Sequence, residues 1–144
     1  MNEFKVYYED TDASGRVYHA NYLKYLERGR SNLIYQSKYN HQELLKKFNI
    51  IFVVKNLSIN YLSPAFFEDI LEVQTSLNQL SRVKLNFNQK IFRNTELLVD
   101  AEVIVIPVNV GGKIIRLNEE LFSFFIKFFF QFLQLGKIQL YLFL

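Results

Sequence analysis

Three stretches of this chain alternate apolar and polar residues with a period of two. In NLSINYLS, Leu57, Ile59 and Tyr61 alternate with Asn56, Ser58 and Asn60. In LEVQTSLNQ, Leu71, Val73, Thr75 and Leu77 alternate with Glu72, Gln74, Ser76 and Asn78. In RVKLNFNQKI, Val83, Leu85, Phe87 and Ile91 alternate with Arg82, Lys84, Asn86 and Lys90. A strand that turns successive side chains to opposite faces, one dry and one wet, belongs in an antiparallel sheet. Ser63-Pro64, Leu80-Ser81 and Asn94-Thr95 supply the breaks. A fourth stretch, LLVDAEVIVIPV, is more continuously apolar and is expected to lie centrally. It ends at Asn109 to Gly112, before a short predicted strand, KIIRL.

Upstream the rhythm differs. Val6 begins like a strand, the chain passes an acidic turn closed by Ser14-Gly15, and from Ala20 to about Tyr39 the spacing is helical. Tyr22, Leu26, Gly29 and Leu33 form one stripe, with Leu23 and Ile34 beside it and Lys24, Glu27, Arg28 and Arg30 around it. Gly29 costs a helix about 1 kcal/mol relative to Ala, so a close approach to a neighbouring element is expected there. One amphipathic helix and four or five antiparallel strands bury their apolar faces against each other in an α+β, two-layer arrangement.

Composition narrows the chemistry. The 144 residues suffice for one domain with a core. Cysteine is absent, which removes disulfides, thiolate catalysis and cysteine-bound zinc. A net charge of +3 with scattered basic residues does not point to nucleic acid. MNEFKVYYED lacks a charged segment followed by an apolar run, so a cytoplasmic protein is expected. Residues 118 to 133 read as a helix capped by Asn118, with Glu119 and Glu120 at its positive end. Leu121, Phe124, Phe125, Phe128, Phe129 and Phe132 share one face. Lys127 and Lys137 break the run short of the roughly 20 apolar residues that span a bilayer, so membrane contact is not expected. The expected division is a domain at 1–120 followed by an apolar tail at 121–144.

The residues fit for chemistry are concentrated in VYYEDTDASGRVYHANYLKYLERGR. Asp12 sits in a turn before a helix, where unpaired N–H groups and the helix dipole favour a carboxylate. A turn or capping aspartate has the same pattern, but a cap does not need Glu9 and Asp10 beside it. His19 is the histidine near these acids, at the helix start, where surface or cap histidines also occur. His41 reads as a helix-start or loop residue without a role. Glu9 and Asp10 are read as strand-end or supporting residues rather than catalytic ones.

YYEDTDASGRVYHANYLKYLERGR resembles the active-site signature of the hot-dog-fold acyl-CoA thioesterases, in particular the branch associated with the Tol–Pal system and related to 4-hydroxybenzoyl-CoA thioesterase. The likeness continues through FVVKNLSINYLSPAFFEDILEVQTSL and DAEVIVIPV, roughly residues 3 to 117. It implies a long helix wrapped by an antiparallel sheet, sheets aligned edge to edge in a homodimer or homotetramer, and sites formed between subunits. It implies hydrolysis of short-chain or small acyl-CoA thioesters without metal or organic cofactor. Asp12 matches the catalytic carboxylate, and His19 the helix-start histidine whose N–H lies at the thioester carbonyl. Apart from the resemblance, Tyr18, Tyr22, Tyr25 and Tyr61 suggest an apolar substrate pocket, with Tyr18 on the substrate side, and core tyrosines have the same pattern. Arg82 and Lys84 fall in the strand region that meets coenzyme A phosphates. Ser14 stands where the family usually has Gly, Arg16 where a small apolar residue is common, and Gly29 where Ala is usual.

Two other functions compete. A hot-dog dehydratase acting on 3-hydroxyacyl thioesters keeps its Asp and His closer, with Asn-Pro between; Asp12 and His19 lie seven apart with no Pro. A non-catalytic scaffold would bind acyl-acyl carrier protein or membrane-biogenesis partners, but it would not need both Asp12 and His19.

Overall fold

The computed structural model describes residues 2–134. Five strands, β1 (Glu3–Lys5), β2 (Ile51–Tyr61), β3 (Ile70–Ser81), β4 (Lys84–Arg93) and β5 (Glu96–Val108), form one sheet in the order β1-β3-β4-β5-β2. β1 pairs antiparallel with β3, Phe4 facing Leu71, and short turns join β3 to β4 and β4 to β5. The helices are α1 (Tyr22–Gln36), α2 (His41–Phe48) and α3 (Glu119–Gln134). The arrangement is the α+β hot-dog fold, a helix laid on an antiparallel sheet.

The alternating stretches are strands because their inward residues find a core. Leu71, Val73, Thr75 and Leu77 of β3 are buried, as are Leu85, Phe87, Gln89 and Ile91 of β4. β5 is interior, between β4 and β2, while β4 is the middle strand. Asn94 makes the turn between β4 and β5 with φ +53°, a left-handed conformation that Asn tolerates better than most residues.

Several boundaries differ from the sequence reading. The first strand occupies Glu3–Lys5, and Tyr8–Asp10 form a 3-10 turn instead of extending it. That turn forms because the Asp10 carboxylate accepts the Tyr7 N–H at 2.8 Å. The break after β3 falls at Arg82-Val83, not Leu80-Ser81, so Val83 lies outside the ladder. KIIRL is not a strand: Ile114 makes one isolated bridge to Val108, and the Leu117 N–H turns away to the Arg82 carbonyl at 2.7 Å. The predicted helix to Tyr39 stops at Gln36, and a second helix begins at His41, which the sequence offered as a helix start or a loop residue. Asn40 caps that helix by accepting the Glu43 N–H at 2.9 Å, while the Glu43 carboxylate accepts the Asn40 N–H at 2.8 Å.

The chain divides into two compact units. The first comprises residues 1–33, 59–75 and 89–101. Here Gly29 does what its position suggested: a Cβ added to it would lie 2.8 Å from Val73 and 3.0 Å from the Thr75 hydroxyl. Beneath it, the fully buried Gln89 donates to the Leu26 carbonyl at 2.9 Å and to Thr75 at 2.8 Å, and accepts from Arg30 at 2.8 Å.

The second unit comprises residues 34–58, 76–88 and 102 onward. Asn118 caps α3 as anticipated, accepting the Leu121 N–H at 2.9 Å. Leu121, Phe125 and Phe129 are at most 1 % exposed, whereas Phe124 and Phe128 of the predicted face are half-buried. The Phe125 ring stands edge-on to Phe52 of β2 at 6.0 Å. The Phe132 side chain and Lys137 lie outside the described residues. Among the described residues no helix is long and apolar enough to cross a membrane.

Candidate active site

Residues 11 to 17 form a tight hairpin. Thr11 bridges Val17, the Asp12 N–H bonds the Arg16 carbonyl at 2.9 Å, and the Gly15 N–H bonds the Asp12 carbonyl at 3.0 Å. A three-residue loop of this type needs a left-handed residue at its end, and Gly15 supplies it with φ +78°. Asp12 therefore occupies the first corner of the turn, where aspartate is favoured because its side chain can bond the backbone two residues on. Its Oδ1 accepts both the N–H and the hydroxyl of Ser14, at 2.8 and 2.5 Å.

Those two bonds hold the Asp12 carboxyl below the usual carboxylate range, with the Arg16 charge assisting. The sequence argument rested on a helix dipole; the partners that favour the ionised form here are the local ones of Ser14. The helix does not follow directly either. A 3-10 turn, His19–Asn21, intervenes before α1, and its N-cap, Tyr18, offers no side-chain bond to the leading N–H groups. Within the turn the Asn21 N–H bonds the Tyr18 carbonyl at 2.8 Å, while the first N–H groups of a helical turn have no partner inside it.

Asp12 and His19 open onto one cleft of about 330 Å³, walled by Val17, Tyr22, Tyr61 and Pro64, with Arg16 at its rim. The Tyr61 hydroxyl donates to the His19 carbonyl at 2.7 Å, fixing the turn from the end of β2. The buried Tyr22 hydroxyl accepts the Ala65 N–H at 3.0 Å. Arg93 fastens the opposite wall by donating to the Pro64 carbonyl at 3.2 Å and pairing with Asp69 and Glu96 at 2.7 and 2.6 Å. A carboxylate and the start of a helical turn, meeting at Asp12 and His19 on one cleft, are the two kinds of group that can activate water and stabilise a developing oxyanion.

The remaining sequence candidates fall elsewhere. Tyr18 is exposed, its ring 4.6 Å from that of His19. Arg82 and Lys84 are not among the walls of the cleft. Arg82 pairs with Glu119 at 2.7 Å, donates to the Leu117 carbonyl at 3.2 Å and sits 4.4 Å over the Phe122 ring. Lys84 begins β4 and, with Lys55, lines a groove of about 390 Å³ floored by Val83, Ile104, Ile106 and Ile114. No group of three His, Cys, Asp or Glu residues suited to a metal ion occurs among the described residues.

The thioesterase superfamily profile matches residues 14–99. The chain belongs to the thioesterase superfamily. An acyl-CoA thioesterase, YbgC of Haemophilus influenzae, is 41% identical over 107 residues, covering 74% of this chain and 79% of that protein. The YbgC acyl-CoA thioester hydrolase of Escherichia coli O6:H1 is 39% identical over 106 residues, covering 73% and 78%. A probable thioesterase from Bartonella henselae superposes with TM-score 0.78 at 34% identity, covering 81% of this chain and 96% of that one. A DHNA-CoA thioesterase from Staphylococcus aureus reaches TM-score 0.84 at 24% identity, covering 99% and 96%, a likeness of fold alone.

Within this thioesterase fold, sequence reasoning underrated one residue. Asp10 is 5 % exposed. Burial opposes its charge, but the Tyr7 N–H, the Asn21 amide, Tyr25 and the Arg28 charge together hold its carboxyl below the usual range. Asn21 donates to it at 2.7 Å. Nothing in the polar run from Glu9 to Asn21 marks Asp10 out, and burial is what separates it from its exposed neighbour Glu9.

Proposed function

We propose that the protein hydrolyses acyl-CoA thioesters, with Asp12 as the catalytic carboxylate and the leading N–H groups of the His19 turn as the oxyanion site. The observation that carries this reading is their shared cleft. As a general base, Asp12 takes a proton from water while the hydroxide adds to the thioester carbonyl carbon. The carbonyl oxygen becomes an oxyanion, each well-placed N–H stabilising it by roughly 3 kcal/mol. Collapse expels the coenzyme A thiolate, which is then protonated. As a nucleophile, Asp12 would instead form an acyl anhydride that water opens. A single turnover in ¹⁸O-water tests the second route, since label in the Asp12 carboxylate requires water to open the anhydride at the Asp12 carbonyl.

Val17, Tyr22, Tyr61 and Pro64 give the acyl group an apolar wall of limited size, in keeping with short-chain or small acyl groups. Tyr18 is assigned to the substrate side by its place beside His19. Lys84 is assigned to the coenzyme A phosphates. Arg82 shares that assignment in a lesser role, because Glu119 and Phe122 already engage its guanidinium. An acyl-acyl carrier protein offers the same thioester and belongs in the same substrate panel. The sheet edge at β2, eleven residues long with Val53 and Val54 exposed, supports assembly into a homodimer or homotetramer.

A panel of acyl-CoA esters assayed by thiol release tests the activity, with no thiol contributed by the protein's own residues because it has no cysteine. Asp12→Asn is expected to lose about 10²–10⁴-fold in kcat with the fold intact. Turnover near the parent rate in that variant would remove Asp12 from the mechanism.

A further inference from the structure

We propose that Asp10 is a positioning residue for thioester hydrolysis: it fastens both ends of the turn that presents the His19 N–H. The inference rests on the assignment of Asp12 and the His19 turn given above. It stands on geometry. The Asp10 carbonyl accepts the Tyr18 N–H at 2.9 Å, and its Oδ1 accepts the Asn21 amide at 2.7 Å. Tyr18 and Asn21 are the residues on either side of His19-Ala20, so the turn hangs from one residue at two points. The other carboxylate oxygen accepts the Tyr7 N–H at 2.8 Å, which anchors Asp10 to the chain entering the site. Two residues later the same backbone carries Asp12, whose hairpin is closed by the Thr11 to Val17 bridge.

Asp10 is thus the covalent and hydrogen-bonded link between the carboxylate side of the cleft and the N–H side. An oxyanion donor must lie within a few tenths of an ångström of the oxygen it stabilises, and a 1 Å error in such a site costs about 10²-fold in rate. A carboxylate suits the task because it can accept from two donors at once without donating to either, and buried charge-assisted bonds of this length are stiff. Asn at the same place would turn one NH₂ edge towards Tyr7 or Asn21, both donors, and one bond would be lost.

The test is kinetic, in the full-length protein with an acyl-CoA ester that the parent cleaves. Asp10→Asn is expected to lower kcat about 10²-fold with KM changed less than threefold, because the oxyanion contact tightens only in the transition state. The reciprocal exchange, Asp10→Asn with Asn21→Asp, restores a donor facing a carboxylate and is expected to recover at least tenfold of the lost kcat. If Asp10→Asn does not fold, Asn21→Ala carries the test, with the same kcat-selective loss expected. A kcat within threefold of the parent in a folded Asp10→Asn or Asn21→Ala protein overturns the proposal, as does an exchange that folds without recovery. Asp12→Asn measured alongside keeps the two readings apart. Full activity there refutes the underlying mechanism, whereas its loss with an unaffected Asp10→Asn refutes only the positioning role.

Discussion

Ser14 controls the charge state of the residue beside which the reaction is proposed to run. Its hydroxyl and N–H stabilise ionised Asp12 and not the protonated acid, so the folded carboxyl titrates below its ordinary value. Activity that needs ionised Asp12 is therefore present above that depressed value and falls as pH drops through it. Removing the hydroxyl in Ser14→Ala leaves the backbone bond alone. The acid limb of kcat/KM is expected to move to higher pH while the rate on the plateau is largely kept. A pH-rate profile of the two proteins checks this, and a limb that does not move would free Ser14 of the role. Any contribution of the same bonds to stability has the same sign: present above the unfolded carboxyl's pKa and lost as pH falls through the folded one. Asp12 was legible in the sequence because its turn chemistry is local. Asp10 was legible only as a strand-end or supporting residue like Glu9, because what distinguishes it is burial among Tyr7, Asn21 and Tyr25, contacts up to fifteen residues apart.

Among the elements, α1 owes its depth to a missing methyl group. In Gly29→Ala the new carbon would meet Val73 Cγ1 at 2.8 Å and Thr75 Oγ1 at 3.0 Å, both short, branched side chains with little room to swing. Overpacking costs about 1–3 kcal/mol, and alanine's better helix propensity returns about 1 kcal/mol. A net destabilisation of about 1 kcal/mol is expected, visible in urea unfolding as a lower midpoint with an unchanged slope. The strands were readable because period two is a direct imprint of a sheet with one dry face. α2 was readable only as one alternative at His41, since its eight residues carry just one buried leucine, Leu44, and its definition comes from the Asn40 and Glu43 cap. KIIRL has strand composition, yet Ile114 is half exposed and the pairing partner of Leu117 is the turn at Arg82, a long-range choice that composition does not encode.

At the scale of the molecule, the second unit depends on α3. Leu121, Phe125 and Phe129 are buried in it, and burial of three such side chains is worth roughly 5–9 kcal/mol. That is comparable with the whole stability of a small domain, about 5–15 kcal/mol. Truncation after Glu120 is therefore expected to give an aggregating or unfolded product, judged by circular dichroism and sedimentation. A soluble, cooperatively folding truncation would show the helix to be dispensable. Within the same unit Arg82 and Lys84 should separate by experiment. Lys84→Ala is expected to raise KM for coenzyme A esters and spare short thioesters that lack the nucleotide. Arg82→Ala is expected to lower thermal stability first, because it releases Glu119, the Leu117 carbonyl and the Phe122 ring together.

The aromatic lining of the cleft has an optical consequence. Tyr22 lies 5.5 Å from Tyr61 and 6.5 Å from Tyr25, and the chain contains no tryptophan to dominate its emission. Excited tyrosines at such separations exchange energy, so part of the fluorescence of the nine tyrosines comes from rings that line or back one cleft. An acyl group settling against Tyr22 and Tyr61 should change that emission, and the near-ultraviolet circular dichroism with it. Binding to the catalytically silent Asp12→Asn protein could then be titrated directly, without a label and without turnover.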